Sequence, residues 1–353
     1  IPTHAVQGIL GRFVPCLPVD VEEFYAKGIP FDYNRFCTPF ITDEILWELF
    51  GDDQFLVKEK FLFKDQIGNW KLAPSFDTQL KVENFFELTS ELQHAAKIKA
   101  GLMELIANVI LFEEPGSKQQ QFHFRISIDK TWSFKQCSAS TREKLMELYH
   151  DYFYQRQDHF WYKEAMQKLP FLKESTNMLI CGEDLGMVPH CVPDVMHQTG
   201  ILSLEIQRMP KDPQKSFFNP ADSPYLAVVT PSTHDMSTIR GWWEENRQRT
   251  QYFYNHELHQ WGDAPQFCEA WINRTIIEQH LQSPAMWSIF QLQDLFGMSD
   301  SLRRKMPSEE RINDPANPKN YWQYRMHLTL EDLLSNHAFK KIVRDAVIAA
   351  GRL

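Results

Sequence analysis

The 353-residue sequence lacks the segments and motifs that identify several large classes of protein. It has no apolar run of roughly 18 or more residues, which a membrane span needs, and no charged-then-apolar signal segment at its start. GxGxxG, P-loop, GxSxG and HExxH blocks are also missing. Membrane insertion, nucleotide binding, serine hydrolysis and zinc proteolysis are therefore not expected.

Cysteine and basic residues are arranged in ways that exclude two further classes. The six cysteines are scattered, without a CxxC pair or zinc-module spacing, which predicts a reduced cytoplasmic protein with no structural metal. The net charge is −9 and the isoelectric point is about 5.8. Because proteins that bind nucleic acid gather Lys and Arg to neutralise phosphates, nucleic acid is an unexpected partner.

Composition and apolar periodicity divide the sequence into three regions. Residues 1–40 are rich in Pro and Gly and show little apolar periodicity, which predicts a loop region. Residues 41–170 read as a mostly helical subdomain. In residues 171–353 short apolar runs alternate with helix-like stretches, which is typical of an α/β region with a parallel sheet.

Three helices are predicted in the middle region. The first begins near Thr42 or Asp43, either of which can cap it. Apolar residues recurring at i, i+3 and i+4 predict a second helix over about 89–112 and a third over about 140–168. Pro170 is expected to close the third helix.

The last region reads as a succession of strand and helix units. Its four apolar runs, each four to six residues long, fit buried parallel strands better than helices; they lie at 178–181, 201–206, 225–229 and 287–290. The helical candidates lie at about 189–198, 237–248, 265–281 and 328–350. Four such units make up half of an eight-stranded (β/α)8 TIM-type barrel.

Carboxylates follow two of the predicted strands. Glu183 comes after the first run and Asp235 after the third. In a β/α barrel, catalytic side chains cluster at these C-terminal strand ends. Cleavage of a glycosidic bond uses one carboxylic acid to protonate the leaving oxygen and further carboxylates to stabilise positive charge. The alternative is that Glu183, Asp184 and Asp235 are N-caps of the helices that follow.

The amino-acid sequences of five blocks, in their order along the chain, indicate a protein family. These blocks closely resemble signatures of glycoside hydrolase family 77, the 4-α-glucanotransferases called amylomaltase or disproportionating enzyme. They are Ile-Cys-Gly-Glu-Asp-Leu-Gly at 180–186, Ser-Thr-His-Asp at 232–235 with Arg-Gly-Trp-Trp at 240–243, Leu-Gln-Asp-Leu-Phe-Gly at 292–297, Arg-Ile-Asn-Asp-Pro at 311–315 and Tyr-Trp-Gln-Tyr-Arg at 321–325.

The resemblance implies a role for each matching residue. Glu183 would be the general acid/base, and it would have to carry a proton when a glucan binds, which calls for burial or nearby carboxylates. Asp235 would bind sugar hydroxyls and stabilise the transition state, with His234 beside it. Asp184 and Asn313 look like substrate-binding positions. No metal or other cofactor is implied.

The resemblance also implies a carboxylate nucleophile, which the family carries in an Arg-x-Asp-His block. The match at 156–160 sits inside a predicted helix, which favours a non-catalytic interpretation. Residues 1–8 instead resemble the segment that follows this block in the longer, maltose-metabolising subtype, which the large helical insertion at residues 41–170 also marks. The resemblance therefore implies the C-terminal half of a (β/α)8 TIM-type barrel with a large, mostly helical insertion. The chain is therefore expected to begin after its nucleophile, to be inactive alone, and to associate with itself or with the missing half of the barrel.

Maltose, maltodextrin, glycogen and starch-like glucans are the partners that the resemblance implies, and transfer of α-1,4-linked glucosyl or glucan units by a retaining double displacement is the implied reaction. Two alternatives remain open. An α-glucan hydrolase would use the same carboxylates, and a non-catalytic protein would retain the sugar groove without the chemistry.

Overall fold

The computed structural model describes residues 14–88, 93–186, 188–212, 214–317 and 319–353. The chain divides into two compact units, Ile1–Glu164 and Ala165–Leu353, and the division falls inside a helix. Each unit has hydrophobic clusters made of its own residues. The two units therefore have separate cores.

The first unit combines short helices with two small antiparallel sheets. Its helices are α1 (Val21–Ala26), α2 (Tyr33–Cys37), α3 (Asp43–Phe50), α4 (Gln54–Lys60), α5 (Gln79–Leu88), α6 (Ala95–Ala107), α7 (Trp132–Lys135), α8 (Ala139–Tyr154) and α9 (Arg156–Glu174), the last continuing past the unit boundary. Its strands are β1 (Val19–Asp20), β2 (Leu62–Lys64), β3 (Trp70–Leu72), β4 (Leu111–Glu113) and β5 (Gln121–Phe124). The sheets have the orders β1-β5-β4 and β2-β3.

Helices α3 and α6 form the centre of one core of this unit. The predicted start of α3 is confirmed, because the Thr42 hydroxyl accepts a hydrogen bond from the backbone N–H of Ile45 at 3.3 Å. Phe50, near the end of α3, is fully buried in this core. A Cβ added at Gly101 of α6 would lie 2.6 Å from Cζ of Phe50, so the absence of a side chain at Gly101 allows the two helices to pack closely.

The prediction of a loop over residues 1–40 is wrong for its described part, residues 14–40. This segment contains β1, α1 and α2, and Val19, Phe24 and Phe36 are buried in the second core of the unit. The elements are two to six residues long, so apolar periodicity cannot build up within them. A local signal does exist, since Glu23 accepts from the backbone N–H of Asp20 at 3.0 Å in a capping box that starts α1.

The helix predicted over 89–112 is shorter in the structure. Its described part is α6, which ends at Ala107, and β4 begins after three intervening residues; residues 89–92 lie outside the described chain. Asn108 ends the helix because its side chain is held by two backbone groups. It donates to the carbonyl of Phe40 at 2.7 Å and accepts from the N–H of Ser133 at 2.8 Å. These distant partners override the local apolar pattern.

The helix predicted over 140–168 is two helices. Gln155 leaves the helical conformation, with φ −128° and ψ −68°, and separates α8 from α9. Pro170 lies within α9 rather than closing it. Pro170 lacks the N–H that would bond one turn back, but beyond it the Ser175 N–H donates to the Phe171 carbonyl at 3.1 Å, so the helical turn continues.

The second unit is an α/β region built on a parallel sheet. Its strands are β6 (Ser203–Ile206), β7 (Ala227–Thr230) and β8 (Trp287–Ser288), and its helices beyond α9 are α10 (Cys191–Thr199), α11 (Ile239–Glu245), α12 (Arg247–His256), α13 (Ala270–Leu281), α14 (Leu292–Phe296), α15 (Leu330–Ser335) and α16 (His337–Ala349). The strand order is β6-β7-β8, with Ser203 opposite Ala227 and Val228 opposite Trp287.

Three of the four predicted strands are therefore confirmed as neighbours in one parallel sheet. The first run, 178–181, forms a single parallel bridge between Cys181 and Leu202 rather than a strand. The backbone hydrogen bonds are nevertheless those of a parallel strand pair. Gly182 N–H donates to the Leu202 carbonyl at 2.8 Å, and Leu202 N–H donates to the Ile180 carbonyl at 3.0 Å. This segment thus lies beside β6 on the side away from β7.

Three helices of the second unit pack together in a core that contains several Trp and Ile side chains. Trp242 and Trp243 of α11 pack with Phe253 of α12 and with Ile272 and Ile276 of α13. No helix in the described ranges is both long enough and apolar enough to cross a membrane.

Candidate active site

His234 and Asp235 lie in the loop between β7 and α11, residues 231–238. The carboxylate Oδ2 of Asp235 is 3.3 Å from Nε2 of His234. The side chains of His234 and Asp235 are 51% and 41% exposed, so a ligand can reach both. The sheet thus presents a carboxylate and an imidazole at the C-terminal end of a buried parallel strand.

Asn313 fixes the orientation of Asp235. Its Nδ2 donates to Oδ1 of Asp235 at 2.6 Å, and its backbone N–H donates to the carbonyl of His234 at 3.2 Å. Oδ1 of Asn313 accepts from the side-chain amide of Asn320 at 2.7 Å. Asn313 is buried. One oxygen of Asp235 is therefore held by the protein, and the other lies beside His234.

An exposed aromatic residue adjoins this polar group. The ring of Trp322 lies 4.7 Å from the ring of His234, with an angle of 47° between the planes. Trp322 and its neighbour Tyr321 are both largely exposed. A sugar ring has apolar C–H faces and hydroxyl edges, so a flat aromatic surface beside a carboxylate suits it.

Asp184 belongs to a different network. Its Oδ1 accepts from the backbone N–H of Leu204 in β6 at 2.7 Å, and its Oδ2 accepts from Lys211 Nζ at 2.6 Å. Lys211 also pairs with Glu205 at 2.6 Å. Both Asp184 and Glu205 are buried. Asp184 thus ties the segment that carries Glu183 to the neighbouring strand.

Glu183 follows the bridged segment beside β6, and its side chain is exposed. Among the described residues no group hydrogen-bonds to its carboxylate. Of the two conditions expected for Glu183, burial or nearby carboxylates, burial is not found in this chain. Since the bridged segment, β6 and β7 are parallel and adjacent in that order, Glu183 and Asp235 follow strand segments of the same sheet, with β6 between them.

The N-cap alternative fails for all three carboxylates. Thr238 caps α11, since its hydroxyl accepts from Gly241 N–H at 3.2 Å, so Asp235 is not the cap. Helix α10 begins after His190, well beyond Glu183 and Asp184. The structure thus leaves these carboxylates for other roles.

A family model described as 4-alpha-glucanotransferase matches residues 121–330, which include every one of the five sequence blocks. The chain belongs to this family. The resemblance read from the sequence is thereby confirmed.

Similar proteins show how much of a family member the chain represents. The 4-alpha-glucanotransferase DPE2 of Oryza sativa subsp. japonica is 35% identical over 356 residues, which is 100% of this chain and 37% of that protein. A 4-alpha-glucanotransferase of Chlamydia trachomatis is 30% identical over 183 residues, which is 50% of this chain and 33% of that protein. The chain therefore matches about a third of the length of each of these relatives.

A solved structure of the family overlaps with part of the chain. Amylomaltase from Streptococcus agalactiae in complex with acarbose matches with a TM-score of 0.42 and 20% identity, covering 53% of this chain and 35% of that one.

Within this family member, the structure joins three of the five predicted site residues. His234, Asp235 and Asn313 are in direct contact, whereas Glu183 and Asp184 lie on the far side of β6. Sequence reasoning assigned no role to Asn320 or Trp322. Trp322 lies inside a recognised block, but only the fold brings it against His234.

One further prediction concerns residues away from this site. The block at 156–160 is helical, as predicted, because it forms the start of α9. Its Arg156 pairs with Glu23 at 2.5 Å and with Asp151 at 2.5 Å. Across the described ranges no three His, Cys, Asp or Glu side chains are grouped as metal ligands would be.

Proposed function

We propose that the protein containing this chain is a retaining 4-α-glucanotransferase and that Asp235 and Glu183 are catalytic. The observation that carries the proposal is the Asp235 carboxylate, held by Asn313 beside His234 and the exposed Trp322, in a chain that belongs to the family. A glucosyl ring stacked on Trp322 would present its hydroxyls to Asp235 and His234.

In this mechanism Glu183 acts first as a general acid and then as a general base. Glu183 gives its proton to the glycosidic oxygen as the bond to the leaving sugar breaks, and it then takes the proton of the acceptor hydroxyl that attacks the glycosyl intermediate. Asp235 stabilises the positive charge of the oxocarbenium-like transition state. The nucleophile that this retaining mechanism requires is not assigned to a residue of this chain.

Maltose or maltodextrin is the proposed donor, and glycogen or a starch-like glucan the proposed acceptor. The test supplies maltose and glycogen to the longest natural polypeptide that carries this sequence. We expect free glucose and lengthened glucan chains. Glu183→Gln should reduce this rate at least about 100-fold, because it removes the general acid.

The matched control is Glu331→Gln, an exposed carboxylate at the start of α15, which should leave the rate unchanged. A Glu183→Gln variant that keeps full activity would contradict the assignment. Transfer conserves the number of reducing ends, whereas hydrolysis by an α-glucan hydrolase increases it. A non-catalytic glucan-binding protein would bind maltodextrin and release no glucose.

We also propose that the parallel sheet is part of a (β/α)8 barrel and that residues 41–170 are an insertion into it. The alignments support this proposal. The rice relative aligns with the whole chain, whereas the chlamydial relative aligns with only half of it, as expected if part of the chain is an insertion that some family members lack. A cytoplasmic location is proposed from the scattered cysteines.

Both edges of the described parallel sheet carry exposed apolar side chains, which supports association of this chain with itself or with further barrel strands. On one side Met178 and Leu179 are 75% and 51% exposed, and on the other Trp287 and Ile289 are 51% and 54% exposed. Light scattering on residues 1–353 should show species larger than the 41.6 kDa monomer. A stable monomer would contradict this proposal.

A further inference from the structure

The loop that carries Asp235 is held near both of its ends by one buried arginine. Arg208 follows β6 and is 7% exposed. Its Nε donates to the carbonyl of Pro231 at 2.9 Å, and its Nη2 donates to the carbonyl of Ser237 at 2.6 Å. Pro231 is the first residue of the loop and Ser237 the last but one. The guanidinium therefore sets the distance between the two ends of the loop.

Few side chains could replace arginine at this position. A guanidinium is a planar fork with several N–H donors, whereas a lysine ammonium is a point donor that cannot span two separated acceptors in the same way. The Arg208 guanidinium also lies over the ring of Trp242, 5.4 Å from its centroid. Burial lowers the pKa of Arg208 to about 10, which still leaves the side chain charged at neutral pH.

The middle of the loop is held by side chains that follow β8. Nε2 of Gln291 donates to the carbonyl of Thr233 at 2.8 Å and to the hydroxyl of Ser232 at 2.9 Å. The Ser232 hydroxyl donates in turn to Asp294, whose other oxygen accepts from Ile239 N–H at 2.8 Å. Thr233 immediately precedes His234. These contacts fix the backbone directly before the two exposed site residues.

We infer that Arg208 and Gln291 are positioning residues that orient Asp235 by fixing the 231–238 loop. Arg208 is buried and Gln291 is half-buried, and both donate to backbone carbonyls of the loop. The inference rests on the proposed function, because it takes Asp235 as the group that binds the glucan. If Arg208 and Gln291 act through Asp235, their effect on glucan binding requires the Asp235 carboxylate. If they only support the fold, their effect does not depend on it.

A double-mutant cycle separates these two cases. Binding of maltoheptaose is measured by calorimetry on the longest natural polypeptide that carries the sequence, with Glu183→Gln present throughout to prevent turnover. Asp235→Asn should weaken binding about tenfold. Arg208→Lys should weaken binding about five- to tenfold when Asp235 is present and less than about twofold when Asp235→Asn is present.

The control is Arg247→Lys. Arg247 also donates to two backbone carbonyls, those of Ala264 and Pro265, but these lie in a loop without site residues. It should change binding in neither background. If Arg208→Lys does not fold, the same cycle is run with Gln291→Met, which keeps the shape of the half-buried side chain and removes its donors.

Equal weakening in both Asp235 backgrounds would overturn the inference and leave the proposed function intact. Unchanged binding on Asp235→Asn alone would overturn both, because Asp235 would then not bind the glucan.

Discussion

Asn313 is the single residue on which the orientation of Asp235 depends most directly. Its side chain is buried, donates to Asp235 at 2.6 Å and is itself held by Asn320 at 2.7 Å. The sequence identified Asn313 through its place in a recognised block. Its partner could not be found that way, because Asp235 and Asn313 are brought together by the fold rather than by a shared element.

Asn313→Ala should therefore reduce transfer activity strongly. A hydrogen bond to a charged group contributes about 1.5–3 kcal/mol, so the loss in kcat/KM should be roughly 10- to 150-fold. The measurement is the rate of glucose release from maltose with glycogen as acceptor, made on the longest natural polypeptide that carries this sequence. The control is Asn317→Ala, an exposed side chain in the same segment. A loss below twofold on Asn313→Ala would contradict the role given to this contact.

His280 makes the stability of the second unit depend on pH. It is completely buried in α13, where Nδ1–H donates to the Ile276 carbonyl at 2.7 Å. Burial lowers the pKa of His280 from 6.5 to about 4. The folded protein therefore binds this proton less readily than the unfolded chain does. The contribution of neutral His280 to stability is complete above about pH 6.5 and is lost as the pH falls towards 4.

Replacing His280 should reduce this dependence. Between pH 6.5 and 4.5, the free energy of unfolding should fall by up to about 1.4 kcal/mol per pH unit more in the wild type than in His280→Asn, an amide that can still donate to the Ile276 carbonyl. Urea titrations across this range give the slopes. His150→Asn, at an exposed histidine, is the control and should leave the slope unchanged. Identical slopes for the wild type and His280→Asn would refute the assignment.

At the scale of elements, close packing of α3 on α6 is possible because Gly101 has no side chain. Local propensity predicts that Ala is better than Gly inside a helix by about 1 kcal/mol. The structure predicts the opposite sign here, because the fully buried ring of Phe50 occupies the space that a Cβ would take.

Gly101→Ala should lower the free energy of unfolding by about 1–3 kcal/mol, the range found when extra atoms are forced into a packed core. Chemical denaturation gives this value. The Gly101→Ala change should be less costly when it is made in a Phe50→Leu variant, which frees space at the contact. A stabilising effect of Gly101→Ala in the wild type would show that helix propensity outweighs packing at this position.

At the scale of the whole molecule, the two units have separate cores, so a destabilising substitution in one core is expected to increase unfolding mainly in its own unit. Local and partial unfolding proceeds in contiguous cooperative regions, so a defect in one core affects mainly its own unit. Gly101→Ala should increase amide hydrogen exchange in α3 and α6 and leave exchange in β7 and α13 unchanged. Mass spectrometry of peptides from each unit measures this. A uniform increase across both units would show that they unfold together.

The helices and strands that the sequence predicted well are those with strong local signals. Thr42 starts α3 because a capping hydroxyl acts within one turn of the helix. The apolar runs that became β6, β7 and β8 are bounded by turn residues and are recognisable without any partner. The errors occur where contacts with residues far away in the sequence determine the end of an element. Asn108, for example, ends α6 through hydrogen bonds to Phe40 and Ser133.

By itself, the sequence determined the family, the parallel strand units and the identity of the polar residues after each strand, because these features are written in contiguous residues. Tertiary structure decided which of those residues meet. It joined Asp235 to Asn313, separated both from Asp184, and buried Arg208 beneath the loop that carries Asp235. Such pairings depend on strand register and on the packing of segments far apart in the chain, which no local pattern specifies.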